Sequence, residues 1–190
     1  RGEPQPGEMS LQPPATSLMR ELVWLDNMLL WIIGVLLMAI GGTLMARLSV
    51  HRPSLAQAGA VGMRIAAAIA MVSFVLMQAI TMYPPTEAGP AIIALFSAIG
   101  WAGANLDDIA TVLIVGIGPL TLGIAGHGAW APGWLRTWGI LAGVIGTFGL
   151  ATTFVRLDHP LSMVIIPLGI GWMIAAGVVL LRRTDRQTSA

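Results

Sequence analysis

Asn105-Leu106-Asp107-Asp108 places two adjacent acids and an amide at the head of an apolar run from Ile109 to Ala125. Carboxylates at membrane depth are costly and tend to mark ion or proton paths, so Asp107 and Asp108 are the first candidates for a functional, ion-path pair. The same residues also have a purely structural use. Acids favour the positive end of a helix dipole, and Asn105 is suited to cap a first turn that holds both carboxylates. Arg64 is the other charge set inside an apolar stretch, and it either meets a partner in a helix bundle or snorkels back to the headgroups.

The remaining polar residues offer less. His51, His127 and His159 fall in loops or at span ends, whereas haem or chlorophyll ligation in a bundle needs a deeper His. No HExxH, paired-His or carboxylate-cluster pattern suggests a metal centre. The chain has no Cys, which excludes disulfides, thiolate ligands and Cys nucleophiles. Thr43, Ser73, Thr111, Thr121 and Thr147 have no His or Lys near them in sequence to serve as a base. These residues predict a non-enzymatic protein with no cofactor.

The elements that must position them are membrane helices. The 190 residues are 56% hydrophobic and 10% charged, and the mean hydropathy is +0.80. A soluble domain carries about a quarter charged residues, so this chain could not cover its own surface in water. The net charge of +1 gives no argument for nucleic acid. Every basic residue is Arg, which suits a GC-rich bacterial gene. The chain opens with Arg1: either an upstream segment has been removed or the sequence begins inside the gene product, with Met9 a candidate later start.

Residues 1–22 read as a polar, Pro-rich tail without a signal-peptide pattern, 23–183 as a single transmembrane helical domain, and 184–190 as a short polar tail. Stretches at 27–46, 59–82, 106–125, 135–154 and 161–181 each approach the roughly 20 apolar residues that cross a bilayer. The stretch 91–104 is apolar but short, which predicts a re-entrant or interfacial helix. Pro119 and Pro167 interrupt the third and fifth spans. The tryptophans cluster toward span ends as an aromatic belt would, with Trp172 alone lying deep.

Five crossings put Arg47, Arg52, Arg64, Arg136, Arg182, Arg183 and Arg186 on one side and leave Arg1, Arg20 and Arg156 on the other. A sixth crossing at 91–104 would erase that bias. The expected fold is therefore all-α: a polytopic transmembrane bundle of about five spans plus one short re-entrant or interfacial helix. The positive-inside rule orients it in a bacterial cytoplasmic (inner) membrane with the N-terminus outside and the C-terminus cytoplasmic. Asp107 and Asp108 then lie at the outer end of the third span. Arg64 lies near the opposite membrane face, too far away to pair with them.

Two motifs carry a resemblance. Ala58-Gly59-Ala60-Val61-Gly62-Met63-Arg64-Ile65 resembles the Gly-x-x-Gly-x-Arg-Ile opening of a middle helix in a bacterial multi-span family catalogued only as a domain of unknown function. Ala131-Pro132-Gly133-Trp134-Leu135-Arg136-Thr137-Trp138-Gly139 looks like that family's Pro-x-Trp-Leu-x-x-Trp-Gly opening of the penultimate helix. The likeness runs from about Ala58 to the C-terminus. It departs at Ala66, Ala67 and Ala68, where the family usually carries an acid, and in lacking the family's additional first helix. The resemblance implies a helical architecture and no activity.

Gly139, Gly143, Gly146 and Gly149 form a smooth helix face of the kind that lets helices approach closely in lipid, either within the bundle or against a partner. With no large soluble domain and no cluster of reactive groups, the leading expectation is a scaffold or accessory subunit, packed through that face against partner subunits in the bilayer. The alternative is a small transporter or channel built on the acidic pair at a helix head.

Overall fold

Backbone N–H and C=O groups have no water to bond in hydrocarbon, so an apolar chain there must satisfy them within its own helix. The computed structural model describes residues 14–82, 89–154 and 162–188. Among the described residues it contains five helices: α1 (Pro14–Leu48), α2 (Pro53–Met82), α3 (Pro90–Gly126), α4 (Gly133–Phe154) and α5 (Ser162–Thr188). Helix α1 begins within the Pro-rich tail, and α5 runs on past Arg183.

Met28–Leu48, Pro53–Ile80, Pro90–Gly126 and Val164–Arg183 are long and apolar enough to cross a membrane. Helix α4 has 22 residues, about 33 Å at the helical rise. It too must traverse the bundle, because the far end of α5 returns to the α3–α4 connection, where the Arg183 guanidinium donates to the Ala129 carbonyl. The chain is thus a multi-pass helical membrane protein.

The third span differs from the sequence expectation. The stretch 91–104 is not a separate short helix but the first part of α3, which runs unbroken through Asn105–Asp108. Gly89, in extended conformation, caps the helix, and Pro90 begins it, where a missing N–H does no harm. Nothing between Pro90 and Pro119 can stop it. Asn and Asp cost only a few tenths of a kcal/mol relative to better helix formers, against about 3 kcal/mol for an interior Pro. The break falls at Pro119 instead. It cannot donate to Val115, and the preceding turn widens into a π-segment, Leu113–Ile117, in which the Gly118 N–H donates to the Leu113 carbonyl.

Helix α3 is the axis, touching all four other helices, while α1 packs on α2 and on the last part of α3 but not along α5. On the α4 side the packing is backbone to backbone. A Cβ added at Gly146 would sit 2.7 Å from the Gly116 Cα, and one at Gly169 would strike the Val115 side chain and carbonyl. Tryptophans peg the same half. Trp172 is fully buried and its indole N–H donates to the Leu135 carbonyl at 2.8 Å. The Trp138 indole donates to the Leu168 carbonyl at 3.1 Å. Trp130 was expected in an aromatic belt but is 2% exposed. It bonds the Ser49 hydroxyl at 2.9 Å and meets Trp172 edge-on, so it joins the two loops at one end of the bundle. An indole buried in this way must place its N–H on an acceptor, and each of the three does.

That end carries the basic residues. Arg47 closes α1, Arg52 lies in the following loop, Arg136 sits in the first turn of α4, and Arg182 and Arg183 lie toward the end of α5.

Candidate functional site

Asp107 and Asp108 lie midway along the 37 residues of α3, not at its head. The capping role expected of Asn105, and the first-turn placement of both acids, are therefore corrected: the helix has begun several turns earlier. The Asn105 amide donates to the Trp101 carbonyl one turn back, at 2.7 Å. The acids lie well away from the basic end of the bundle. Asp108 is about 27 Å of helical rise from Gly126 at the basic end, close to one hydrocarbon thickness of about 30 Å.

Both carboxylates line a cavity of about 670 Å³ between α1, α2, α3 and α5. Helix α3 supplies its floor through Ala104, Asp107, Asp108, Thr111, Ile114 and Val115, a stripe at helical spacing. Helix α1 contributes Trp31, Gly34 and Met38, helix α2 contributes Ser73 and Phe74, and α5 contributes Ile166 and Ile170. Asp107 is half-buried and Asp108 more exposed. Among the described residues no basic side chain lines the cavity. Trp31 and Phe74 meet in its wall, with ring centroids 6.0 Å apart and the rings tilted by 48°.

The geometry has a simple origin. On the far side of the bundle, glycines bring the backbones together. On this side α1 stands away from α5, and large side chains leave a gap. Ser73 ties α2 to the floor by donating to the Gly103 carbonyl at 2.8 Å. Thr43, Thr121 and Thr147 instead bond the carbonyl one turn back in their own helices, which satisfies a hydroxyl in apolar surroundings.

The other sequence candidates do not converge on the acids. Arg64 is exposed on the outer surface of α2, its guanidinium bonding the Ala60 carbonyl of its own helix at 3.3 Å. Gly139, Gly143 and Gly146 face α3, against Pro119, Leu120 and Gly116 respectively. The surroundings of Gly149 lie outside the described residues. His51 and His127 are exposed, and His159 lies outside the described residues. Among the described residues no three of His, Asp and Glu come together.

Sequence reading found the acids but not the cavity. The contributions of α1 and α5, and the pairing of Trp31 with Phe74, depend on distances between helices that no local pattern encodes. One signal was available: Gly34, Met38, Ser73 and Thr111 are small, flexible or polar positions within apolar spans. Compared with known proteins, the chain matches no family model, no curated sequence and no solved structure.

Proposed function

We propose that this chain is a small transporter that takes a membrane-dissolved solute into the cavity beside Asp107 and Asp108. The observation that carries this reading is the cavity itself. Its volume lies in the range of ligand pockets, it is mainly apolar, and Asp107, Asp108 and Thr111 give it a few polar groups on the α3 wall. The glycine face, the surface first available to a partner subunit, is largely occupied by contacts inside the bundle.

The proposed setting is a bacterial cytoplasmic membrane. The cluster of Arg47, Arg52, Arg136, Arg182 and Arg183 faces the cytoplasm, and the N-terminus lies outside. Because the sequence has no Cys, single-cysteine variants read orientation against a silent background. Ser54→Cys should be labelled by an impermeant maleimide only after the membrane is opened, and Gly89→Cys should be labelled in intact cells. The reverse pattern would invert the orientation.

Transport is tested with purified protein in liposomes and a panel of hydrophobic dyes that are cationic, neutral or anionic. Flux of at least one dye above protein-free liposomes, abolished by Gly34→Trp, is the expected result. A Cβ at Gly34 meets nothing within 4 Å, so the new ring has room to fill the cavity without disturbing the bundle. Absence of flux for every dye, with the protein folded, removes the reading.

An accessory-subunit role keeps one observation of its own. Helix α3 spans about 55 Å, and Ile92, Ile93, Leu95 and Trp101 in its first part are exposed, beyond the level of the acids. A membrane-protein partner covering that face would co-purify in mild detergent, and Leu95→Glu would release it.

A further inference from the structure

The access route and the charge of the cavity together specify what kind of molecule suits it. Leu30 and Trp31 on α1, and Ile166 and Ile170 on α5, line the cavity and are also exposed on the outside of the bundle. Among the described residues α1 does not pack along α5, so the cavity opens between them on the outside of the bundle, the surface that meets lipid in a membrane. A solute reaching this site is one that partitions into the bilayer.

Its polarity is set by the wall. The carboxylates of Asp107 and Asp108 stand toward one end, and among the described residues no Arg, Lys or His lines the cavity to neutralise them. From there the wall runs through Thr111 to Ile114 and Val115, with Val35, Met38 and Ile170 opposite, all apolar beyond the threonine. The indole of Trp31 and the ring of Phe74 stand in the same cavity. Aromatic faces attract cations, and most strongly those too bulky to hold a tight water shell.

We infer that the gap between α1 and α5 admits amphipathic organic monocations from the bilayer, with the cationic centre held by Asp107, Asp108 and the Trp31–Phe74 pair and the apolar body lying along α3 below them. This deepens the transporter reading and rests on it. A zwitterionic or anionic lipid would place phosphate oxygens beside two carboxylates, which like-charge repulsion disfavours. A metal cation or ammonium would leave the apolar length of the cavity unused.

The test compares two ions of one shape and opposite charge. Full-length protein in phosphatidylcholine nanodiscs is titrated with radiolabelled tetraphenylphosphonium and, separately, with tetraphenylborate, subtracting empty nanodiscs. The expected result is saturable binding of the phosphonium, at least about tenfold tighter than any binding of the borate, a difference of about 1.4 kcal/mol. Asp107→Asn combined with Asp108→Asn should lose that preference while the elution profile and melting temperature stay unchanged. Asp107→Glu should retain it, and Trp31→Leu should weaken phosphonium binding by about fivefold.

If both ions bind equally, the Asn pair has no effect and Gly34→Trp abolishes binding, then the cavity takes ligands without regard to charge. That overturns the cation inference and leaves the transporter reading standing. If neither ion binds saturably and Gly34→Trp only displaces a co-purified phospholipid, the gap is a lipid seat and both fall. If Asn variants prove unstable, the phosphonium–borate comparison on the unaltered chain and on Trp31→Leu decides alone.

Discussion

The two lengths of α3 are packed by opposite means. From Ile114 to Gly126 the helix is mostly buried and nowhere fully exposed, and its partners on α4 and α5 are Gly139, Gly143, Gly146 and Gly169, with Trp138 and Trp172 as pegs. From Pro90 to Asp108 little but Gly103 is buried, and its neighbours are large side chains around a gap. Lipid offers no hydrophobic drive for helices to associate, so close backbone approach and internal hydrogen bonds must hold the bundle together. The glycine-rich length does that holding, which leaves the other length free to stay open. Stability and ligand access are thereby weighted toward different stretches of one helix, which overlap at Ile114 and Val115.

The sharpest way to break this comparison is to put the same kind of side chain into both halves. Gly146→Leu drives a side chain into Gly116 and should cost about 3 kcal/mol, the upper part of the overpacking range, seen as a lost or greatly lowered melting transition. Gly34→Val, with nothing within 4 Å of its Cβ, should change stability by less than about 0.5 kcal/mol. Equal losses at the two sites would mean that the halves do not differ.

Trp172→Phe should come next. It removes the indole bond to the Leu135 carbonyl and leaves a void in a fully buried site. The expected loss is about 2 kcal/mol, measured by denaturant titration in detergent micelles. Ser73→Ala removes the bond to Gly103 on the open side and should cost about 0.6–1 kcal/mol, as interhelical hydrogen bonds in membranes do. The smallest effect belongs to Arg64→Gln. Its side chain lies outside the cavity, so solute binding should be unaltered and stability should move by less than about 0.5 kcal/mol.

What could be read in advance follows the same division. Runs of apolar residues of bilayer length predict the helices, and the one-sided distribution of arginines predicts that Arg47, Arg52, Arg136, Arg182 and Arg183 gather at one end. Both signals are local or additive along the chain. The continuity of α3 was hidden because Asn105, Asp107 and Asp108 look like a boundary on a hydropathy scale, which measures transfer into lipid, whereas helix termination depends on the backbone. Only a proline or a positive φ would have broken the chain there. The one positive φ among the described glycines is at Gly128, in the α3–α4 turn. Trp130 was misplaced for a related reason: an indole near a span end suits both a lipid boundary and a loop-to-loop hydrogen bond, and the acceptor, Ser49, lies 81 residues away in sequence.

The π-segment at Leu113–Ile117 has a geometric consequence for the acids. A widened turn accommodates one residue more than the α-helical ladder needs, and each residue advances an α-helix by about 100°. The azimuth at which Asp107 and Asp108 project is therefore offset from the azimuth at which Gly116, Pro119 and Leu120 meet α4. Deleting a single residue other than Gly116 from 113–117 would let the ladder close as an α-helix and swing the upstream carboxylates by about a quarter turn, with their own side chains and the glycines of the seam left chemically intact. The phase of that one turn thus aims the acidic pair into the cavity.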